Sequence, residues 1–172
     1  MRRLLCVLAL ALPASLPACG PTSTHGGGGP AEPAELRTLS EERALTLVRE
    51  VLASESIPRG ALWVVSIQPD TEIEVDVRLA SSSFGIEWIS PQDRADVGEA
   101  VPEPASGGQL RIVPGTGDDA GAQILILDHS AYEYANEREH VQRGVPGARE
   151  TEERLRRDVR DYLHYVRGQG GL

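Results

Sequence analysis

The chain has 172 residues, of which 17 are basic and 26 acidic, for a formal net charge of −9 at neutral pH. Every basic residue is an arginine, and the sequence groups them into no basic stripe. That balance argues against nucleic acid as a partner, because phosphates demand clustered cations.

The N-terminus has the parts of a secretory signal peptide over residues 1–18. Arg2 and Arg3 come first, then an uncharged apolar run over residues 4–12, then small residues. The run is too short to span a bilayer, which needs about 20 residues. The segment Leu16-Pro17-Ala18-Cys19-Gly20 follows. It resembles the lipobox of bacterial lipoprotein precursors.

That resemblance implies cleavage before Cys19, a diacylglyceryl thioether on its sulfur, and usually a further acyl chain on its nitrogen. Two or more chains give stable anchoring where one does not. It also implies a place in the cell envelope, on the outer membrane in a cell with two membranes, since Gly20 rather than Asp follows the cysteine. The alternative is a soluble secreted protein with a free cysteine near its start. Cys6 would leave with the leader, so Cys19 would be the sole mature cysteine and no internal disulfide could form. Without Arg2 and Arg3, 15 basic residues face 26 acidic ones, a balance of −11. Such a domain is repelled by anionic head groups, so the lipid would be its hold on the membrane.

Residues 19–35 read as a lipidated cysteine and a flexible tether, rich in Gly, Pro and small polar residues. Its coil dimension is about 20–25 Å. His25 falls here as a solvated residue. Residues 36–172 form a single domain, long enough for one core.

The domain opens with a helix over residues 40–55, started by a Thr38-x-x-Glu41 capping box or by Ser40 as N-cap. Ala44, Leu47, Val48, Val51 and Leu52 share one face. Residues 61–68 read as a buried strand. Residues 72–79 alternate strictly: Ile73, Val75, Val77 and Leu79 point one way, and Glu72, Glu74, Asp76 and Arg78 the other. That is a strand with one solvated face. Residues 84–89 form a third strand with Phe84, Ile86 and Trp88 on one side. Ser90-Pro91 starts a short helix that ends near Gly98. A Gly/Pro-rich loop covers residues 98–108. Residues 110–113 and 122–128 read as a hairpin, and Tyr132 and Tyr134 as a further short strand. A helix over residues 148–167 closes the domain. Its stripe is Leu155, Val159, Tyr162, Leu163 and Val166, with i,i+4 pairs Glu150–Arg154, Glu152–Arg156 and Glu153–Arg157.

The order predicts an α+β fold, with an antiparallel sheet of about five strands and both long helices on one face. The helix, hairpin and alternating acidic strand over residues 40–80 resemble PepSY-type envelope domains.

Asp128 and His129, followed by Ser130 at the end of a buried strand, are the candidate catalytic residues. Burial at a strand end can shift a pKa toward acid/base use, although strand-end Asp and Ser residues commonly cap turns. Glu133, Glu137 and His140 could extend them into a mixed metal site. Asp70, Glu72, Glu74 and Asp76 could bracket a hard cation, or form a solvated face paired with Arg78 and Arg111. The loop 115–121 resembles a Ca²⁺-binding turn but reads as a plain hairpin loop. Trp63, Phe84, Trp88 and Tyr132 fill the core or, if exposed together, mark a patch. HExxH, CxxC and Gly-x-Ser-x-Gly patterns are absent from the sequence. No cofactor and no metal are therefore expected. The preferred reading is a lipid-anchored binding or structural accessory that meets an envelope protein. The rival is an envelope hydrolase or metal-dependent enzyme using Asp128 and His129.

Overall fold

The computed structural model describes residues 35–104, 109–137, 140–141 and 144–172. All of them belong to one compact unit, Pro33–Leu172. The leader, Cys19 and the tether up to residue 34 lie outside the described residues. Among the described residues, no helix is long and apolar enough to cross a membrane.

The element order is β1 (Leu36–Thr38), α1 (Glu41–Ser54), β2 (Trp63–Gln68), β3 (Thr71–Val75), β4 (Val77–Arg78) and β5 (Phe84–Ile89). It continues with α2 (Pro91–Val97), β6 (Ile112–Pro114), β7 (Gln123–Asp128), β8 (Glu133–Ala135) and α3 (Ala148–Gly168). Short 3₁₀ turns cover Gly98–Ala100, Gly117–Asp119 and His129–Tyr132.

The fold is α+β, but its strands do not make one antiparallel sheet. Four of them form a sheet in the order β4-β5-β7-β6, while β2–β3 and β1–β8 are separate two-stranded pairs. In the central sheet β5 and β7 run parallel, from Phe84 beside Gln123 to Ile89 beside Asp128. The flanking pairs β4–β5 and β6–β7 are antiparallel. The physical reason for the parallel centre lies in β5 and β7 themselves. All of β5 is buried, and so is β7 from Ile124 to Asp128. Strands apolar on both sides suit a parallel pair covered on both faces.

Two cores provide that cover. Phe84, Ile86, Trp88, Leu125 and Leu127 face the helices, meeting Leu47, Val51, Leu155, Val159 and Leu163. Ile89, Ile124 and Ile126 face the β2–β3 hairpin through Val65, Ile67, Ile73 and Val75. Gly85 lets hairpin and sheet approach: a Cβ there would lie 2.6 Å from a Val75 methyl.

The alternating run of residues 72–79 is therefore two strands in two layers. Ile73 and Val75 enter the hairpin core, whereas Val77 and Leu79 enter the helix core. The break falls at Asp76. Its N–H donates to Glu87 Oε2 (2.9 Å), and its Oδ2 accepts from Trp88 N–H (2.8 Å). These bonds fasten the point where the chain leaves the hairpin and joins β5.

Ser40, not Thr38, caps α1, accepting from Arg43 N–H at 3.3 Å. Thr38 belongs instead to β1 and pairs with Glu133 of β8. The start of α2 follows expectation, with reciprocal bonds between Ser90 and Asp93. Helices α1 and α3 lie side by side and parallel. Arg43 binds Glu152 in a two-point pair at 2.7 Å, Glu50 meets Arg156 at 3.2 Å, and Glu55 meets Arg167 at 2.8 Å. The stripe of α3 is buried as expected, with Thr151 added; its hydroxyl donates to Glu133 O.

The Asp76–Glu87 junction makes stability depend on pH. Burial first, and the neighbouring Asp76 charge second, push the Glu87 carboxyl up to about 9, and burial raises Asp76 as well. A carboxyl raised on folding binds a proton that the unfolded chain has released. Its contribution is therefore complete at acidic pH and is lost as pH rises toward 9. Glu87→Gln keeps an acceptor for Asp76 N–H without needing the proton. Urea unfolding should show the wild type losing stability between about pH 5 and about pH 8, by at most about 1.4 kcal/mol per pH unit from this group. The variant should show a flatter profile and greater stability at the alkaline end.

Candidate functional site

Asp128 ends β7, and the two faces of its carboxylate are both occupied. Oδ1 accepts from Ser130 N–H (3.0 Å) and from the Ser130 hydroxyl (2.7 Å), which starts the 3₁₀ turn His129–Tyr132. Oδ2 accepts from Arg94 Nε (3.0 Å) and from Arg94 Nη2. Arg94 reaches across from α2, and its Nη1 also donates to Val101 O. Burial alone would raise the Asp128 carboxyl, but the Ser130 and Arg94 hydrogen bonds outweigh it and hold it below the usual carboxylate range. The side chain is 5% exposed. It is a buried, ionised, fully bonded anchor that ties α2, β7 and the following turn together.

His129 lies next to this anchor and is turned away from the space beyond it. Its Nδ1 donates to Ile89 O at 3.2 Å, and Asp128 Oδ1 is 3.5 Å away. The pair of residues singled out from the sequence is thus adjacent in space. Asp128 lines a cleft, while His129 is not among the residues lining it.

That cleft has a volume of about 390 Å³ and opens at the C-terminal end of β7. This is the end where open sheets with parallel strands offer ligand crevices. Leu110, Leu125 and Leu127 give it an apolar floor, and Tyr132 stands at one side. Two arginines wall it, Arg111 from the lead-in to β6 and Arg154 from α3. Arg111 Nη2 donates to Glu103 O, and Arg154 Nη2 donates to Ala131 O. The Arg154 guanidinium lies 5.5 Å from the centre of the Tyr132 ring. Both Nε atoms are buried and find no acceptor among the described residues. A buried donor without an acceptor costs about 1–3 kcal/mol. Asp158 completes the wall. It accepts the Tyr132 hydroxyl at 3.0 Å and lies 3.5 Å from Arg157. Burial raises its carboxyl above the usual range against that hydrogen bond.

The expected Glu150–Arg154 pair does not form. Glu150 instead accepts from Gly147 N–H at the start of α3 (3.3 Å), which leaves Arg154 to the cleft. Arg94 carries no signal in the sequence, and Arg111, expected beside the acidic face of residues 70–76, donates instead to Glu103 O. One signal was available for α3: positions 154 and 158 flank the stripe 151-155-159, so their side chains lie along its border.

The other sequence candidates do not gather. Among the described residues, no three His, Cys, Asp or Glu side chains converge to hold a metal ion. His140 Nδ1 donates to Val145 O (2.6 Å). Glu72 and Glu74 are exposed on the hairpin's outer side, while Asp76 is held at the junction with β5. In the loop 115–121, Asp119 accepts from Ser66 N–H (3.0 Å), stapling the loop to β2. Trp88 and Tyr132 meet within the core with their rings tilted, 5.6 Å apart, and Trp63 lies half-buried under Arg78.

Arg94→Met should cost about 3 kcal/mol in urea unfolding, because it leaves the buried Asp128 carboxylate without its cation. His129→Ala should cost about 1 kcal/mol or less, the value of one hydrogen bond. No protein-family model, curated protein or solved structure matches this chain.

Proposed function

We propose that this is a lipid-anchored cell-envelope protein of the binding or accessory class, held by acyl chains on Cys19 and offering the cleft beside β7 to its ligand. The observation that carries binding over catalysis is the contrast within that cleft. The Asp128 carboxylate has its bonding directions taken by Arg94 and Ser130, whereas the Arg111 and Arg154 guanidinium groups are held by backbone carbonyls and form no ion pair among the described residues. A general base must be free to take a proton from its substrate. A recognition site needs shape, apolar surface and a few convergent polar groups, and the cleft offers those.

The anchor reading draws on the segment Leu16 to Gly20 and on the composition of the tether behind it. The expected partner is an envelope protein or a soluble ligand met away from the bilayer. The outer membrane is the expected site in a cell that has two.

Cys19→Ser should move the protein from the membrane fraction to the soluble fraction, with an unchanged melting temperature. Retention of that variant in the membrane would end the anchor reading.

A further inference from the structure

The charged side chains lining the cleft are Arg111, Arg154, Asp128 and Asp158. Arg94 neutralises Asp128, and Asp158 is engaged by the Tyr132 hydroxyl with Arg157 beside it. Among the described residues Arg111 and Arg154 form no ion pair: they donate to neutral carbonyls, Glu103 O and Ala131 O, and Arg154 also lies over the Tyr132 ring and acts on Asp158 at longer range. The carbonyls hold the guanidinium planes in place without cancelling their charge. Two fixed cations without an ion-pair partner among the described residues thus stand over a floor of Leu110, Leu125 and Leu127. The whole lies in a chain of net charge −9, where such an arrangement runs against the general field.

Resting on the binding-module reading, we propose that this cleft receives a single carboxylate attached to an apolar body. The planar guanidinium edge matches a carboxylate in two-point geometry, and the leucine floor takes the apolar part. The nearby Asp128 and Asp158 carboxylates favour one negative charge on the ligand over two, which separates this ligand from a phosphate dianion. A free N-acylated amino acid and the C-terminus of a peptide with an apolar last residue both present this chemistry.

Calorimetric titration of the full-length Cys19→Ser chain tests the assignment apart from anchoring. The probes are N-acetyl-leucine, its carboxamide, a short peptide ending in leucine with a free or amidated carboxyl, and inorganic phosphate. Expected is a Kd of about 1 mM or tighter for at least one free acid, weakened about tenfold or more in its amide. Arg111→Gln and Arg154→Gln should each impose a similar loss, while Arg160→Gln, on the same helix outside the cleft, should impose none. The ratio between the free acid and the peptide identifies which source fits better. If a Gln variant fails to fold by circular dichroism, Arg111→Lys and Arg154→Lys take its place; they keep the charge and lose the planar edge, and must weaken the acid more than the amide. Equal binding of acid and amide, preference for phosphate, or no binding of either acid at about 10 mM overturns the proposal. Equal binding would leave the cleft a binding site and the broader reading intact. Loss of membrane association by the wild-type chain would instead remove the anchor and leave the cleft result standing.

Discussion

Everything in this domain hangs on a parallel pair of strands that water cannot reach from either side. Each of β5 and β7 carries apolar side chains above and below the sheet. Such a pair cannot be closed by a tight turn, because parallel strands need a crossover connection. Here the crossover carries α2 and β6. Nor can one layer of helices suffice, so the chain supplies a second cover by folding β2 and β3 over the opposite face. The separate hairpin, the broken strand at Asp76 and the long return from β5 to β7 all follow from that requirement.

The Arg94–Asp128 bond closes the crossover at its far end. It joins the helix that leaves β5 to the strand that arrives beside it, and Arg94 also holds the Val101 carbonyl. One charged pair thereby fixes the loop side of the cleft. The opposite side is fixed by α3, whose buried stripe sets its rotation and so presents Arg154 and Asp158 beside Tyr132. Recognition in this cleft would need no moving part: its floor is core and its walls are braced by backbone carbonyls.

Local signals in the sequence were reliable where a single element decided the outcome. Ser90, Pro91 and Asp93 start α2, and the stripe from Leu155 to Val166 is the buried face of α3. Alternation correctly predicted which of residues 72–79 turn inward, and it failed on which core receives them. Period-two patterning reports an inward side, and two stacked layers each have one. The parallel pairing of β5 with β7 was equally hidden, since burial on both faces leaves no period to read. The cleft was the least legible feature. Its arginines come from elements far apart in the chain, and Arg154 looked like half of a surface ion pair with Glu150. Asp128 drew notice for its place at a strand end, which the structure explains by capping and by Arg94.

The carboxyl pair at the layer junction has a consequence for how the chain exchanges matter with its surroundings. Near neutrality the Glu87 side chain is ionised in the open chain and protonated once buried, with its affinity pushed up to about 9. Folding therefore takes a proton out of solution. The folded domain is a proton acceptor in its own right, and a compartment that turns acidic supplies one of the reactants from which the native state is made.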